Sequence, residues 1–381
     1  MKPGIRHPAW WLLPLLISGS AWGGGMTRIA VIYAATDETG GSLSSLIGGI
    51  EETPGVEILR VNLDAPRDQV VGQLLLAASG SAGPIRLAAA GGSVGPIAVI
   101  YPDIGEPYRS VFSKIIEGIE DRAKTRVAAY AVGTSFNAQE LSGELKKQDI
   151  RVVIALGRNG LKAASTLDKE IGVVASGVIS APEGDLRPGP ILSLAPDPAL
   201  LFTRLKGISP ATRRVTVIYE PKQNAWLIRL ARDAARATGL ELVAQEAADL
   251  KTAIRLYQDF FNEADSKRDA LWLLQDNTTA DEATVLPLVL QESWNRLIPV
   301  FSSAVSHVRR GALFALYPNN IELGRNLANS ALGIAGGAPP NRGLMPLRDV
   351  LTAFNTRTAS HLGLARGSLQ LPAFDLIFPE Q

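Results

Sequence analysis

From residue 97 to residue 316 the chain alternates short apolar runs with longer segments whose apolar residues recur every three or four positions. Runs of four or five apolar residues suit strands buried on both faces, and the longer segments suit helices with one buried stripe. Strands are expected at Ile97–Tyr101, Val127–Ala131, Val152–Leu156, Val173–Gly177, Val215–Tyr219, Glu241–Ala244, Ala270–Leu274 and Ile298–Phe301. Helices are expected near Arg109–Ala123, Ala138–Gln148, Gly160–Lys169, Ala225–Thr238 and Asp281–Asn295. Unbroken alternation of this kind predicts parallel sheets covered by helices on both faces. Proline-containing turns interrupt it at Ser193–Pro198, Tyr317–Asn320 and Gly336–Arg342. Read as crossings between two lobes, they predict an α/β fold of two doubly wound parallel-sheet lobes with a hinge. Residues 97–194 with 317–345 would form lobe 1, and 195–316 with 346–381 lobe 2.

Ahead of this region the pattern repeats. Ile97–Tyr101 matches Ile29–Tyr33 letter for letter, 68 positions on, and Ile119-Glu120-Asp121 echoes Ile50-Glu51-Glu52, 69 positions on. With a second strand at Val56–Val61 and helices near Ser42–Glu52 and Arg67–Leu76, residues 26–78 read as an additional N-terminal βαβα unit. Two explanations fit the repeat: an appended copy of the first unit, or convergence of buried parallel strands on Val, Ile and Tyr. Residues 79–96, rich in Gly, Ala and Ser, read as a linker. At the start, Lys2 and Arg6 precede the apolar run Trp10–Ile17 and the small residues Gly19-Ser20-Ala21. That order describes a secretory leader over residues 1–22, whose apolar run is too short to span a bilayer comfortably, with an uncleaved anchor as the alternative. A cleaved leader predicts an exported, periplasmic protein with no membrane span, expected to be a monomer.

Composition mostly excludes. A net charge of +1 gives no electrostatic case for nucleic acid. There are no cysteines, hence no disulfide, thiolate or lipid-anchored N-terminal Cys, and only three histidines, so no metal site is expected. Gly91-Gly92-Ser93-Val94-Gly95 matches a nucleophile elbow in letters, but that motif needs a preceding strand, and here the strand follows. No phosphate-binding loop or dinucleotide fingerprint follows an expected strand, so no cofactor and no enzymatic reaction is expected.

In a two-lobed α/β protein a ligand meets the loops at the carboxyl ends of the strands. In lobe 1 those loops carry Asp103 and Tyr108, then Gly157-Arg158-Asn159, then Ser180-Ala181-Pro182. In lobe 2 they carry Glu220 to Asn224, then Gln275-Asp276-Asn277-Thr278, then Ser302-Ser303. Each has a plainer reading. Asp276 and Thr278 are also helix-cap types, Tyr108 also suits packing at a helix start, and Arg158 also suits a solvated surface. As a ligand group, the Arg158 guanidinium would grip a carboxylate through two parallel bonds. Trp226 follows as a cover for the cleft or as core, and Trp272 as core. Asp103, Tyr108, Arg158, Ser180, Asn224, Asp276, Asn277, Thr278 and Ser303 are the candidate ligand residues.

Several motifs in order resemble a known family: Asp276-Asn277-Thr278 after a strand, Ile298-Pro299-Val300-Phe301, Arg309 to Leu313, Glu322 to Arg325, and Asn355 to Leu364. From about Pro96 to Gln381 the chain resembles the ABC-transporter substrate-binding proteins that include tryptophan- and tyrosine-binding members. The resemblance implies a type I periplasmic-binding fold, a small polar or amino-acid-like ligand, an inner-membrane permease as partner, and no catalysis. It also implies acidic residues after the turn at Ser303, where this chain has Ala304-Val305. The alternative is a sensory or assembly partner of an envelope complex built on the same fold.

Overall fold

Ile97–Pro102 is buried at every position. Such a strand must lie inside a sheet covered on both faces, and the computed structural model places it there. The structure describes residues 27–33, 56–62, 85–86, 95–106, 108–180, 189–339, 343–364 and 374–380. The expected leader and the two N-terminal helices lie outside them. The chain forms two compact units, Met1–Ala82 and Gly83–Gln381. In the first, β1 (Thr27–Tyr33) pairs in parallel with β2 (Val56–Asn62), Ile29 beside Ile58.

The second unit contains both lobes. Lobe 1 begins with β3 (Ile85–Arg86), β4 (Ile97–Pro102), α1 (Tyr108–Ala123), β5 (Ala128–Val132) and α2 (Ala138–Lys147). It continues with β6 (Val152–Leu156), α3 (Gly157–Ser165), β7 (Gly172–Val178) and β8 (Pro190–Pro196). Lobe 2 follows with α4 (Pro198–Ile208), β9 (Arg214–Tyr219), α5 (Pro221–Thr238), β10 (Glu241–Glu246), α6 (Leu250–Glu263) and β11 (Asp269–Leu273). It goes on through α7 (Val285–Arg296), β12 (Val300–Ser302), α8 (Val305–Arg310) and β13 (Phe314–Pro318). The chain returns to lobe 1 for α9 (Asn320–Ala335) and β14 (Gly343–Leu347), then ends in lobe 2 with β15 (Val350–Asn355), α10 (Thr356–His361) and β16 (Leu376–Phe378).

The lobe 1 sheet has the order β14-β8-β7-β6-β4-β5-β3, and the lobe 2 sheet β10-β9-β11-β12-β13-β15-β16. All pairings are parallel except β3 on β5 and β15 on β13. Thus Ile85-Arg86, inside the stretch read as a linker, adds an antiparallel edge strand to lobe 1.

Lobe 2 is held by a cross-strand row in which Trp272 sits beside Phe301, Phe301 beside Phe314, and Phe314 beside Phe354. Phe301 stacks on Phe314 at 5.2 Å, and Phe202 of α4 meets Trp272 edge-on at 5.6 Å. Each such ring buries surface worth about 1.5–3 kcal/mol. Trp272 is fully buried core. In lobe 1, α1 and α9 meet through glycine. A Cβ on Gly118 would lie 2.0 Å from the Ile321 carbonyl oxygen, and one on Gly324 2.1 Å from that of Ile115. Only bare backbone allows that approach.

The crossings fall at Pro196–Pro198, at Pro318–Asn320 and at Arg348-Asp349. The third is later than the expected Gly336–Arg342. The chain first lays β14 along β8, a short strand that the turn-rich sequence around it obscured.

Candidate functional site

Within each lobe the parallel strands point their carboxyl ends one way. β8 leaves lobe 1 for lobe 2 at its carboxyl end, and β13 leaves lobe 2 for lobe 1 at its own. The carboxyl-end loops of both sheets therefore lie on the sides where the lobes join. The crossing segments bond to one another there. Asp197 N donates to Leu347 O at 2.8 Å, Arg348 Nε to Asp197 Oδ2 at 3.1 Å, and Asn319 N to Asp349 O at 2.9 Å. Asn326 of α9 holds the Asp349 carboxylate. An open depression of ≈ 1200 Å³ lined by Lys146, Arg151, Glu170 and Ile334 lies at the amino ends of β6 and β7, away from these loops.

On the lobe 1 side, β4 ends at Pro102 and Asp103 N donates to Val132 O at 2.8 Å. The Asp103 side chain is exposed. Glu106 accepts from Ser110 N at 3.3 Å and Ser110 Oγ at 2.6 Å, which starts α1. Tyr108 is its first residue and is 60% exposed, with Ile104 and Val111 also exposed nearby in sequence. Burial pushes the Tyr101 hydroxyl pKa up, with Arg109 lowering it and Asp103 raising it.

The expected loop at Gly157-Arg158-Asn159 is instead the first turn of α3, which leaves β6 with no connecting residues. Gly157 makes this possible with φ +66°, and a Cβ there would lie 2.8 Å from Pro102 Cγ. Gly177 closes up from the other side, where a Cβ would lie 2.6 Å from Gly157 N. The ends of β4, β6 and β7 thus pack backbone against backbone, and Arg158 stands exposed beside them. Leu156 at the N-cap gives α3 no side-chain acceptor. Ser180 is half-buried, and Ile179 O accepts from Ser193 Oγ at 2.6 Å. Ala181 and Pro182 lie outside the described residues.

On the lobe 2 side, Asp276 is 3% exposed and both its oxygens are engaged. Oδ2 accepts from Glu220 N at 2.9 Å and Asn224 Nδ2 at 2.8 Å. Oδ1 accepts from Thr278 N at 2.8 Å and Thr279 N at 3.2 Å. Asp276 therefore ties the loop after β11 to the loop after β9. Buried Asn224 is part of that tie, and Glu220 caps α5 through Lys222 N at 3.1 Å and Gln223 N at 2.8 Å. Asp276 and Thr278 do not begin the following helix, because the chain turns through Asp281 before α7 starts at Val285, four residues later than expected. Pro287 in its first turn has no N–H to lose there. Gln275 and Asn277 are exposed and Thr278 is half-buried. Gln275 was not among the candidate residues, and only the burial of its neighbour distinguishes it. Beneath the tie, burial and the nearby Asp276 carboxylate push the Tyr257 hydroxyl pKa up.

Ser303 is buried, 8% exposed. Its neighbour Ser302 shares a hydrogen bond between Oγ and His307 Nδ1 at 2.7 Å and accepts from Ala304 N at 3.3 Å. Ser302 is fully buried, so its hydroxyl is structural. Trp226 is partly buried against the lobe 2 core. Among the described residues no group of three His, Cys, Asp or Glu side chains is placed to hold a metal ion. No described helix is long and apolar enough to cross a membrane.

Two α/β lobes, three crossings and polar loops at the junction define a two-lobed binding protein of the periplasmic-binding class. The family profile described as ABC transporter substrate binding protein matches residues 115–354, and the chain belongs to that family. Among solved structures, the chain is similar to a ligand-free, open substrate binding protein with adhesive properties from Clostridium difficile. That match has 16% identity and a TM-score of 0.53, covering 75% of this chain and 99% of the other. The ABC domain bound to L-Trp from Streptococcus pneumonia matches at 15% identity and TM-score 0.48, over 74% and 98% of the two chains. A conserved domain protein from Vibrio cholerae matches at 18% and 0.46, also over 74% and 98%. A search of curated proteins finds no match.

Proposed function

We propose that the protein is an exported solute-binding component of an ABC-type uptake system, which captures a small polar, amino-acid-like solute between its lobes. Capture would draw the lobes together into the form that an inner-membrane permease recognises. The observation that carries this reading is the junction itself. Carboxyl-end loops from two separate sheets meet at three short crossings that are bonded to each other. Asp103, Tyr108, Arg158 and Ser180 form the lobe 1 wall in this reading, and Asn277, Thr278 and Ser303 the lobe 2 wall. Asn224 and Asp276 shape that wall from behind.

Native mass spectrometry of the freshly purified full chain tests the reading. One co-purified small molecule per chain, released unaltered on denaturation, is the expected result. Release of a chemically changed product would contradict it. The alternative of a sensory or assembly partner is favoured by the separate compact unit Met1–Ala82. On that alternative a permease would not select the closed form.

A further inference from the structure

On lobe 2, the side opposite the junction holds a pair of cations that solute capture does not use. There α4 runs out at Ile208, and Ser209 to Arg213 lead the chain to the amino end of β9. The turn is tightly built. Ser209 N donates to Leu205 O at 2.7 Å, Thr212 N to Ser209 O at 3.1 Å, and Thr212 Oγ1 to Ser209 Oγ at 2.9 Å. Ser209 and Thr212 are buried, and Pro210 takes the second place of the four-residue turn, which its fixed φ suits. Two carbonyls of this turn then gather two cations. Lys206 Nζ donates to Pro210 O at 3.0 Å and to Thr212 O at 3.0 Å. Arg213 Nη1 donates to the same two oxygens, at 2.8 and 3.2 Å. The shared acceptors hold an ammonium and a guanidinium side by side.

Two like charges held this close call for a counter-ion, and among the described residues neither Lys206 nor Arg213 has an ion pair. Lys206 lies in the last turn of α4, where the carbonyl end of a helix favours one cation. The second is in excess. Burial lowers the Lys206 pKa and Arg213 lowers it further, with no acid opposing them. The neighbouring acids serve Arg214 instead. Asp269 binds it through both oxygens and raises its pKa, and Glu241 and Asp265 add to that rise. Arg213 N and Arg214 N both donate to Arg268 O, at 2.7 and 3.0 Å. Lys267 and Arg268, exposed and without an ion pair among the described residues, therefore add positive charge to the same end of the lobe. One N–H of Lys206 and the Nε and Nη2 groups of Arg213 remain as donors.

We propose that Lys206 and Arg213 form a phosphate-binding site on the amino-end side of lobe 2, separate from the solute cleft. A phosphate group brings the negative charge and the several acceptor oxygens that an adjacent ammonium and guanidinium lack. Arg213 would take two oxygens through its Nε and Nη2 fork, and Lys206 would meet another as a point charge. Half-buried Lys206 and exposed Arg213 leave the site open to solvent. A free phosphate and the phosphate of a lipid headgroup share this chemistry.

Calorimetry of the full chain with inorganic phosphate, at constant ionic strength in chloride, tests this. Wild type should take up one phosphate per chain. Lys206→Met and Arg213→Gln should each lower the affinity about 10-fold. Arg213→Lys, which keeps the charge and loses the fork, should lower it less. Lys114→Gln, which removes an exposed lobe 1 cation, should leave it unchanged. Should Lys206→Met fail to fold, Arg213→Gln decides alone, because its side chain is exposed. Sedimentation with phosphatidylglycerol vesicles, against phosphatidylcholine vesicles as the control, separates the two sources. Co-sedimentation that Arg213→Gln abolishes assigns a lipid headgroup, and phosphate uptake without co-sedimentation assigns a free phosphate. The proposal is overturned if wild type shows neither saturable phosphate uptake nor sedimentation that the variant abolishes. It is overturned too if Lys206→Met and Arg213→Gln bind as tightly as wild type, since the two cations would then only staple the turn.

Discussion

Asp276 shows how much a single side chain's neighbours decide. In the chain it is an acid in a polar loop after a strand, the pattern of a ligand group and of a cap alike. Folded, it collects donors from two loops. Nothing along the chain marks Glu220 N and Asn224 as its partners, since they lie 56 and 52 residues away. Asp103 was legible as a loop residue and Arg158 was not, being in the first turn of a helix, and that they follow neighbouring strands depends on the pairing of β4 with β6, which no local pattern encodes. His307 is a second residue whose role came only with the fold. Burial lowers its pKa most, Arg310 lowers it further, and Glu282, with Oε1 3.8 Å from Nε2, opposes them. Because the folded pKa lies below the unfolded one, the unfolded chain binds the proton first as pH falls. Stability is therefore full above about pH 6.5 and declines below it, by up to about 1.4 kcal/mol per pH unit from this group. Urea midpoints between pH 7.5 and 5.5 should fall more steeply for wild type than for His307→Asn. Equal slopes would show that His307 does not titrate against the fold.

At the scale of elements, the pairing of α1 with α9 makes a prediction whose sign is diagnostic. In an isolated helix, Gly→Ala stabilises by about 1 kcal/mol. Here the added Cβ at Gly118 or Gly324 meets a carbonyl oxygen on the facing helix at 2.0 or 2.1 Å, so the helices must separate. Gly118→Ala and Gly324→Ala should each destabilise by about 1–3 kcal/mol in urea unfolding. A stabilised variant would show that the helices do not pack this closely. The buried strands were readable because uninterrupted Val, Ile and Ala leave few alternatives: the expected Ile97–Tyr101, Val152–Leu156 and Val215–Tyr219 each lie within a residue of the observed strand. The misread places were those with tertiary causes. Gly157 turns a strand directly into a helix, β14 exists because β8 offers it an edge, and β3 pairs from within a glycine-rich stretch.

For the whole molecule, the two lobes and their crossings place the hinge beside β8 and β14 in one sheet and β13 and β15 in the other. The opposite rim lies towards β5 and β10, where the proposed closure would move the lobes furthest. α2 starts after the carboxyl end of β5 and α6 after that of β10, with Gln139 and Lys251 exposed in their first turns. The chain has no native cysteine, so Gln139→Cys with Lys251→Cys gives two clean spin-label sites. The decisive measurement is the distance between those labels by pulsed electron resonance, with and without the solute found by native mass spectrometry. The account predicts a shift to a shorter, narrower distribution that saturates at one solute per chain. A distribution unchanged at saturating solute would contradict capture by closure between the lobes.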